Sequence, residues 1–185
     1  MARYMIHLVN DGYVPNNAKQ LLGDARQMCS GMNIIIRDCR VSQRCVEFDV
    51  TLNAKTTDEL IERISPIGSL ENAKLVTEEY IPKNDAIKLG VDYFNTERFW
   101  ECHEVLEGVW KICKGQEKDL VQGIILVAAA FVHHQKFEDG ICSSIFGRAL
   151  EKLGNYNEYY GIDIRILCST ITSMRKSGNV EPFLI

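Results

Sequence analysis

The sequence predicts an α+β amino-terminal domain with ferredoxin-like βαββαβ order, followed by an all-α helical bundle of about five helices. Hydrophobic residues alternate with a period of two in several short segments before residue 80, which indicates strands. Beyond Pro82 they recur at helical spacing, and helix stop and start signals separate the segments. We therefore expect two domains, residues 1–81 and residues 82–185.

The predicted amino-terminal domain contains four strands and two helices. In chain order these are the strand RYMIHLV, the helix PNNAKQLLGDARQMC, the strands NIIIRDC and RCVEFDVTL, the helix TTDELIERISPI and the strand AKLVTEEYI. In RCVEFDVTL every second residue is apolar, namely Val46, Phe48, Val50 and Leu52, so this strand should bury one face. A threonine at the start of TTDELIERISPI predicts a helix cap.

Segments with helical periodicity make up the rest of the chain. They are DAIKLGVDYFN, ERFWECHEVLEGVWKIC, EKDLVQGIILVAAAFVHHQKF, SSIFGRALEKL and IDIRILCSTITSMRK. The joints between them carry residues that end helices, such as Gly115 and the pair Gly154-Asn155. The third segment is apolar on every side around Ala128–Ala130, which predicts a position at the centre of the bundle.

Composition and charge exclude several classes of protein. The 185 residues carry a net charge of -4 with no basic run, so a nucleic-acid partner is not indicated. The longest apolar run, residues 124–132, is too short to span a membrane, and we expect no signal peptide. Seven cysteines without a CxxC pair are typical of reduced thiols in a cytoplasmic protein.

The stretch FWECHEVLEGVW contains the candidate site. On a helix, one face of this stretch carries four residues, Trp100, His103, Glu107 and Trp110. If the chain reverses near Gly115, Gln122 of the next helix lies level with Glu107, and these five residues form the predicted pocket. His103 lies level with Val127 of that helix, and His133 is about 9 Å beyond Val127, too far to share one ion with His103.

Three interpretations of the pair His103 and Glu107 remain open. A divalent metal could be held by this nitrogen and oxygen, with Asp163 as a further candidate ligand. A structural pair would be hydrogen-bonded, largely buried beside Trp110 and close to Gln122, because buried polar groups need partners. In acid–base catalysis, the carboxylate would orient the imidazole.

The carboxy-terminal half resembles a widespread bacterial and archaeal family, domain of unknown function number 309. The resemblance rests on FNTERFWECHEVLEGVW, LVQGIILVAAAFVHH, RALEKL and YYGID. Its HxxxExx(W/Y) motif is matched by His103, Glu107 and Trp110, and the flanking matches are Phe94, Asn95, Phe99, Trp100, Glu101 and Glu104. The resemblance implies a helical bundle and metal binding by the histidine and glutamate. A glutamine expected one turn after Gln122 is Leu126 here.

These observations favour a cytoplasmic protein of unknown activity with a small-ligand pocket or a structural polar network around His103. A metal-binding protein or metal-dependent hydrolase, using His103 and Glu107, is the alternative from another class. A scaffold or interaction domain without catalysis is a third. The apolar third helical segment and the two tryptophans also suggest more hydrophobic surface than one bundle needs, which predicts a homodimer or a closely packed face between the two domains.

Overall fold

The computed structural model describes residues 1–77, 80–154 and 156–185. It divides into two units, Met1–Glu78 with Gln135–Phe137, and Glu79–His134 with Glu138–Ile185. We call them the sheet unit and the helical unit. The domain limits given by the sequence, 1–81 and 82–185, stay a prediction.

The sheet unit has an antiparallel sheet with helices, as the sequence predicts. Its strand order is β2-β3-β1-β4, and each neighbouring pair is antiparallel. Single 3-10 turns, Pro15–Asn17 and Ala54–Thr56, precede the two helices. The elements are β1 (Ala2–Val9), α1 (Ala18–Met28), β2 (Ile35–Val41), β3 (Cys45–Leu52), α2 (Thr57–Ile64) and β4 (Leu70–Leu75).

The predicted apolar face of β3 is buried. Its four alternating apolar side chains are inaccessible to solvent and pack with residues of α1 and α2 such as Leu21 and Leu60. The polar side chains Glu47 and Asp49 of the same strand are buried as well. Each has a cationic partner, because buried charges without partners would be strongly destabilising: Arg40 binds Glu47, and Arg3 binds Asp49.

Two details of the sheet unit differ from the prediction. Thr56 is the residue before α2, but its hydroxyl donates to the Asn53 carbonyl instead of accepting from the helix, so the predicted threonine cap is wrong. Strand β4 begins before the predicted segment, at Leu70, and ends at Leu75. Part of that predicted segment, Glu78 and Glu79, lies outside the described residues, as does Asn155 in the predicted Gly154-Asn155 joint.

The helical unit matches the predicted run of helices. Among the described residues it contains α3 (Lys83–Asn95), α4 (Phe99–Ile112), α5 (Gly115–His134), α6 (Asp139–Leu153), the short strands β5 (Glu158–Tyr159) and β6 (Ile162–Asp163), and α7 (Ile164–Ser177). Gly115 has φ of +56°, a left-handed conformation that glycine adopts without strain where α5 begins. No helix within the described ranges is long and apolar enough to cross a membrane.

Helix α5 forms the centre of the core of the helical unit and packs against α4 and α6. Phe131 of α5 stacks on Phe99 with ring centroids 4.6 Å apart, and Phe94 and Phe146 contact it edge to face. Gly123 allows close approach to α6, since a Cβ atom there would lie 2.8 Å from Leu153. These buried aromatic rings contribute to the hydrophobic stabilisation of this unit.

Candidate functional site

Helix α4 presents the predicted site at the border of its buried face. The helix begins after Glu97, whose φ is +60°, and its buried residues include Phe99, Cys102, Leu106 and Val109. The stripe of Trp100, His103, Glu107 and Trp110 is offset from these by one residue, or about 100° around the axis. The four side chains of the stripe are accordingly only partly buried.

His103 lies between two carboxylates. Its Nε2 is 3.4 Å from Glu107 Oε1, and its Nδ1 is 3.5 Å from Glu104 Oε1. The side chains of His103 and Glu107 are 27% and 45% exposed. The prediction that this pair is largely buried is therefore wrong, and 3.4 Å exceeds the usual length of a hydrogen bond. The physical reason is that His103 and Glu107 each follow a buried residue of α4 by one position, so both lie at the edge of the buried face and not within it.

Trp110 lies on the same stripe of α4 as His103 and Glu107. Lys118 Nζ of α5 lies 4.0 Å from the centre of the Trp110 ring, a cation–π contact. The indole Nε1 of Trp110 is buried and has no hydrogen-bond partner among the described residues. A buried N–H without a partner costs free energy.

The predicted partner on α5, Gln122, is half-buried. Within residues 1–77, 80–154 and 156–185, no hydrogen bond joins its amide to His103 or Glu107. Its place in the site stays a prediction, as does that of Trp100.

The geometry of His103 and Glu107 fits one edge of a metal site. Two ligand atoms 3.4 Å apart, each about 2.05 Å from a zinc ion, would subtend an angle of about 110°, close to tetrahedral. No third histidine, cysteine or acidic ligand atom completes this set among the described residues. Glu104 approaches the opposite ring nitrogen, so it cannot serve the same ion. Two protein ligands are fewer than zinc sites generally use.

Asp163, the further metal candidate, caps α7. Its Oδ1 accepts hydrogen bonds from the backbone N–H groups of Arg165 and Ile166, both 3.0 Å long. The hydrogen bond from Ile166, followed by the contacts of Arg165, holds the pKa of Asp163 below its ordinary value. These contacts account for Asp163 as a helix cap, which is the first role that its position before a helix indicates.

The two histidines at the end of α5 have their own partners. His133 Nδ1 lies 2.5 Å from Glu138, and His134 Nδ1 lies 2.7 Å from Asp139. These pairs join the end of α5 to the start of α6. Cys102, next to His103 in sequence, is fully buried, and burial raises the pKa of its thiol. A thiolate nucleophile beside His103 is therefore disfavoured.

Sequence reasoning missed a second polar cluster in the helical unit. Glu117 Oε1 accepts from Lys83 Nζ at 2.5 Å and from the Tyr159 hydroxyl at 3.2 Å. The hydrogen bond from Lys83 is the main cause that lowers the pKa of Glu117, and it also raises the pKa of Lys83. Burial raises the pKa of Tyr159 and that of the neighbouring Cys113 thiol. Of the residues in this cluster, only Tyr159, in the segment YYGID, belonged to a motif that the sequence analysis identified.

Sequence reasoning also did not predict that Glu47 of the sheet unit is buried and contacts two other side chains. Its Oε2 lies 2.9 Å from His7 Nε2, and its Oε1 accepts from Arg40 Nε. Alternation along β3 predicted only that Glu47 faces away from the apolar side, because periodicity carries no information on burial of the second face.

One comparison with known proteins agrees with the resemblance in the helical unit. Residues 87–141 match the family model described as a domain of unknown function, DUF309, which confirms the resemblance for that range. The chain is similar to a conserved hypothetical protein from Thermus thermophilus whose crystal structure is known. The identity is 29%, the alignment covers 50% of this chain and 95% of that chain, and the TM-score is 0.43. No curated protein matches the chain.

Proposed function

We propose that the helical unit binds a small ligand through a surface of α4 formed by His103, Glu107 and Trp110, with Trp100 and Gln122 at its edges. The proposal rests on the exposure and the separation of His103 and Glu107. Its ring nitrogen and carboxylate oxygen belong to partly exposed side chains, and their 3.4 Å separation is longer than an ordinary hydrogen bond. A purely structural pair would be buried and hydrogen-bonded, since its role is to satisfy buried polar groups.

The charges around His103 define the chemistry of the ligand. Glu104 and Glu107 flank the imidazole, so the surface offers hydrogen-bond acceptors and negative charge. Acceptors and negative charge suit a small molecule with an amine, amidine or guanidine group, which would donate to the carboxylates.

Ligand-observed NMR with small amines, amidines and guanidines tests this proposal. Saturation-transfer signals should appear with the wild-type protein and be lost in His103→Ala and Glu107→Gln. Glu151→Gln, which removes an exposed carboxylate from α6, is the matched control and should bind like wild type. Equal signals from all four proteins would overturn the proposal, as would no binding of the panel at millimolar concentration.

A divalent cation is the second candidate ligand, favoured by the near-tetrahedral angle that the pair would subtend. The ligand count does not fit a closed zinc site, so we expect water to complete any coordination. Calorimetric titration of tag-free protein with Zn²⁺ should give one weak site that His103→Ala removes. A metal-dependent hydrolase is the enzymatic form of this candidate, because a cation at this surface would supply Lewis-acid chemistry.

Three further expectations belong to this proposal. The sheet unit is ferredoxin-like, which is supported by its βαββαβ element order and its strand order β2-β3-β1-β4. The protein is cytoplasmic, which is supported by its seven cysteines without a CxxC pair. It forms a homodimer, for which light scattering should give twice the 21.0 kDa chain mass.

If neither organic ligands nor cations bind, a scaffold role replaces the binding proposal.

A further inference from the structure

Lys118 reaches from the first turn of α5 to an aromatic ring of α4. Its Nζ lies 4.0 Å from the centre of the Trp110 ring, and both residues are partly exposed. The indole also packs on the hydrophobic core of the helical unit, and an ammonium group would lose its hydration if it lay on that side. The ring face that carries Lys118 is therefore the face turned away from the core.

The ammonium group of Lys118 has no carboxylate partner in the part of the chain that the structure describes. The two acids beside it in sequence bind other lysines. Glu117 contacts Lys83 at 2.5 Å, and Asp119 contacts Lys152 at 2.6 Å. An ammonium group has three N–H donors, and a ring face satisfies its charge only in part. Lys118 can therefore donate to an anion without leaving the indole.

This cation lies next to the carboxylate end of the proposed ligand surface. Trp110 follows Glu107 by three residues, a rise of about 4.5 Å along the axis of α4. The Cα–Cβ bond of a helical residue is tilted toward the start of its helix, so the indole leaves the backbone in the direction of Glu107. Among the described residues, Glu107 and Lys118 form no ion pair with each other. The surface thus presents a carboxylate and an ammonium group that neighbour the same indole and are not paired.

We infer that the ligand of this surface is a zwitterion with an amine and a carboxylate, and that Lys118 is the residue that selects it. The amine of the ligand contacts the carboxylate of Glu107, and the carboxylate of the ligand accepts a hydrogen bond from Lys118 Nζ. This inference rests on the proposed binding of amines at His103 and Glu107, and it narrows that class of ligand to amino acids.

Charge balance favours a zwitterion over a simple amine. A ligand that carries only a positive charge is attracted by Glu107 and repelled by the Lys118 ammonium group. A zwitterion pairs both charges, and each pair is a charge-assisted hydrogen bond. A simple carboxylic acid is disfavoured for the converse reason, because Glu104 and Glu107 repel its carboxylate.

Matched pairs of ligands test this inference. Each pair is a straight-chain amino acid and the amine that lacks its carboxylate: glycine with methylamine, β-alanine with ethylamine, γ-aminobutyrate with propylamine and ε-aminocaproate with pentylamine. Competition measured by ligand-observed NMR gives the ratio of the two affinities within a pair. For the pair whose length fits, wild type should bind the amino acid about tenfold more tightly. This ratio corresponds to about 1.4 kcal/mol, close to the value of one hydrogen bond to a charged group.

Two variants with the same change in charge separate Lys118 from the overall field of the protein. Lys118→Met removes the ammonium group but keeps a long side chain at the indole, so the two members of a pair should bind equally well. Lys111→Met, at an exposed position next to Trp110, is the matched control and should keep the preference of wild type. Lys118→Arg retains a cation and should also prefer the amino acid. Circular dichroism establishes that each variant is folded.

Three results would contradict the inference. Equal affinities of wild type for both members of every pair would overturn the zwitterion and leave amine binding in place. A preference for the amino acid that survives Lys118→Met, or that Lys111→Met removes equally, would overturn the role of Lys118. If wild type binds neither member of any pair, the proposal of amine binding fails, and this inference fails with it.

Discussion

His103 Nε2 and Glu107 Oε1 are 3.4 Å apart across one turn of α4, and both side chains are partly exposed. The pair is offset by one residue from the buried face of the helix, so it makes little contribution to the core. The His103–Glu107 pair should therefore contribute little to the free energy of unfolding. Substitutions of His103 or Glu107 should accordingly change binding without unfolding the protein.

His103→Ala should change the free energy of unfolding by no more than about 0.5 kcal/mol, because partly exposed ion pairs contribute little. A buried, hydrogen-bonded pair would instead lose about 1–3 kcal/mol. Urea denaturation followed by circular dichroism measures the difference. Phe99→Ala on the buried face of the same helix is the contrasting variant and should lose about 3–5 kcal/mol. A loss above about 1 kcal/mol for His103→Ala would restore the structural interpretation.

Two glycine-to-alanine substitutions should have opposite effects on stability. Gly108 of α4 is exposed, and a Cβ atom there meets nothing within 4 Å, so Gly108→Ala should stabilise by up to about 1 kcal/mol through helix propensity. At Gly123 the added carbon would lie 2.8 Å from Leu153 Cγ and 3.0 Å from its backbone nitrogen. Gly123→Ala should therefore destabilise by about 1–2 kcal/mol. Thermal unfolding of both variants tests the packing of α5 on α6.

Stability should depend on pH through Glu117. Its pKa is lowered on folding by Lys83, so its contribution is present above the unfolded value of about 4.3 and is lost as the pH falls through the folded pKa. The pKa values of Lys83 and Tyr159 are raised, so their contributions are present at neutral pH and lost in alkali. Glu117→Gln should be less stable than wild type at neutral pH, by about 0.5 kcal/mol because the ion pair is partly exposed.

The measurement for Glu117 is the unfolding free energy of wild type and Glu117→Gln from neutral pH down to about pH 3, below the ordinary pKa of a glutamate. The difference between them should shrink as the pH is lowered, because protonation removes the same charge that the substitution removes. Glu151→Gln serves as the control and should show no such trend. A constant difference across this range would mean that the charge of Glu117 is not what stabilises the contact.

In the sheet unit, Asp49→Asn should destabilise by about 1–3 kcal/mol. Asp49 is 4% exposed and accepts two hydrogen bonds from Arg3, at 2.9 and 2.6 Å, so the change removes a buried charge whose partner remains. Asp11→Asn, at an exposed position, should stay within about 0.5 kcal/mol of wild type. Guanidinium denaturation measures both. Equal stabilities would mean that the Arg3–Asp49 contact is not maintained in solution.

The succession of strands and helices was largely predictable because it depends on local periodicity. Alternation in RCVEFDVTL predicted β3 and its apolar face, since side chains of a strand alternate between two faces. Helical spacing and helix-ending residues likewise predicted α3 to α7 within a few residues. The threonine cap of α2 was not predictable in this way, because the Thr56 hydroxyl could donate to a nearby carbonyl as well as accept.

By itself, the sequence determined the order of the helices and of strands β1 to β4, but not the short strands β5 and β6. It also determined the stripe that places His103 and Glu107 one turn apart, and the family resemblance confirmed over residues 87–141. Only the tertiary structure decided that this pair is partly exposed, because burial depends on which side of α4 the neighbouring helices cover. It also joined Lys83, Glu117 and Tyr159, which come from three separate elements. Such contacts are fixed by packing between distant segments, and the periodicity of one segment carries no information about its distant neighbours.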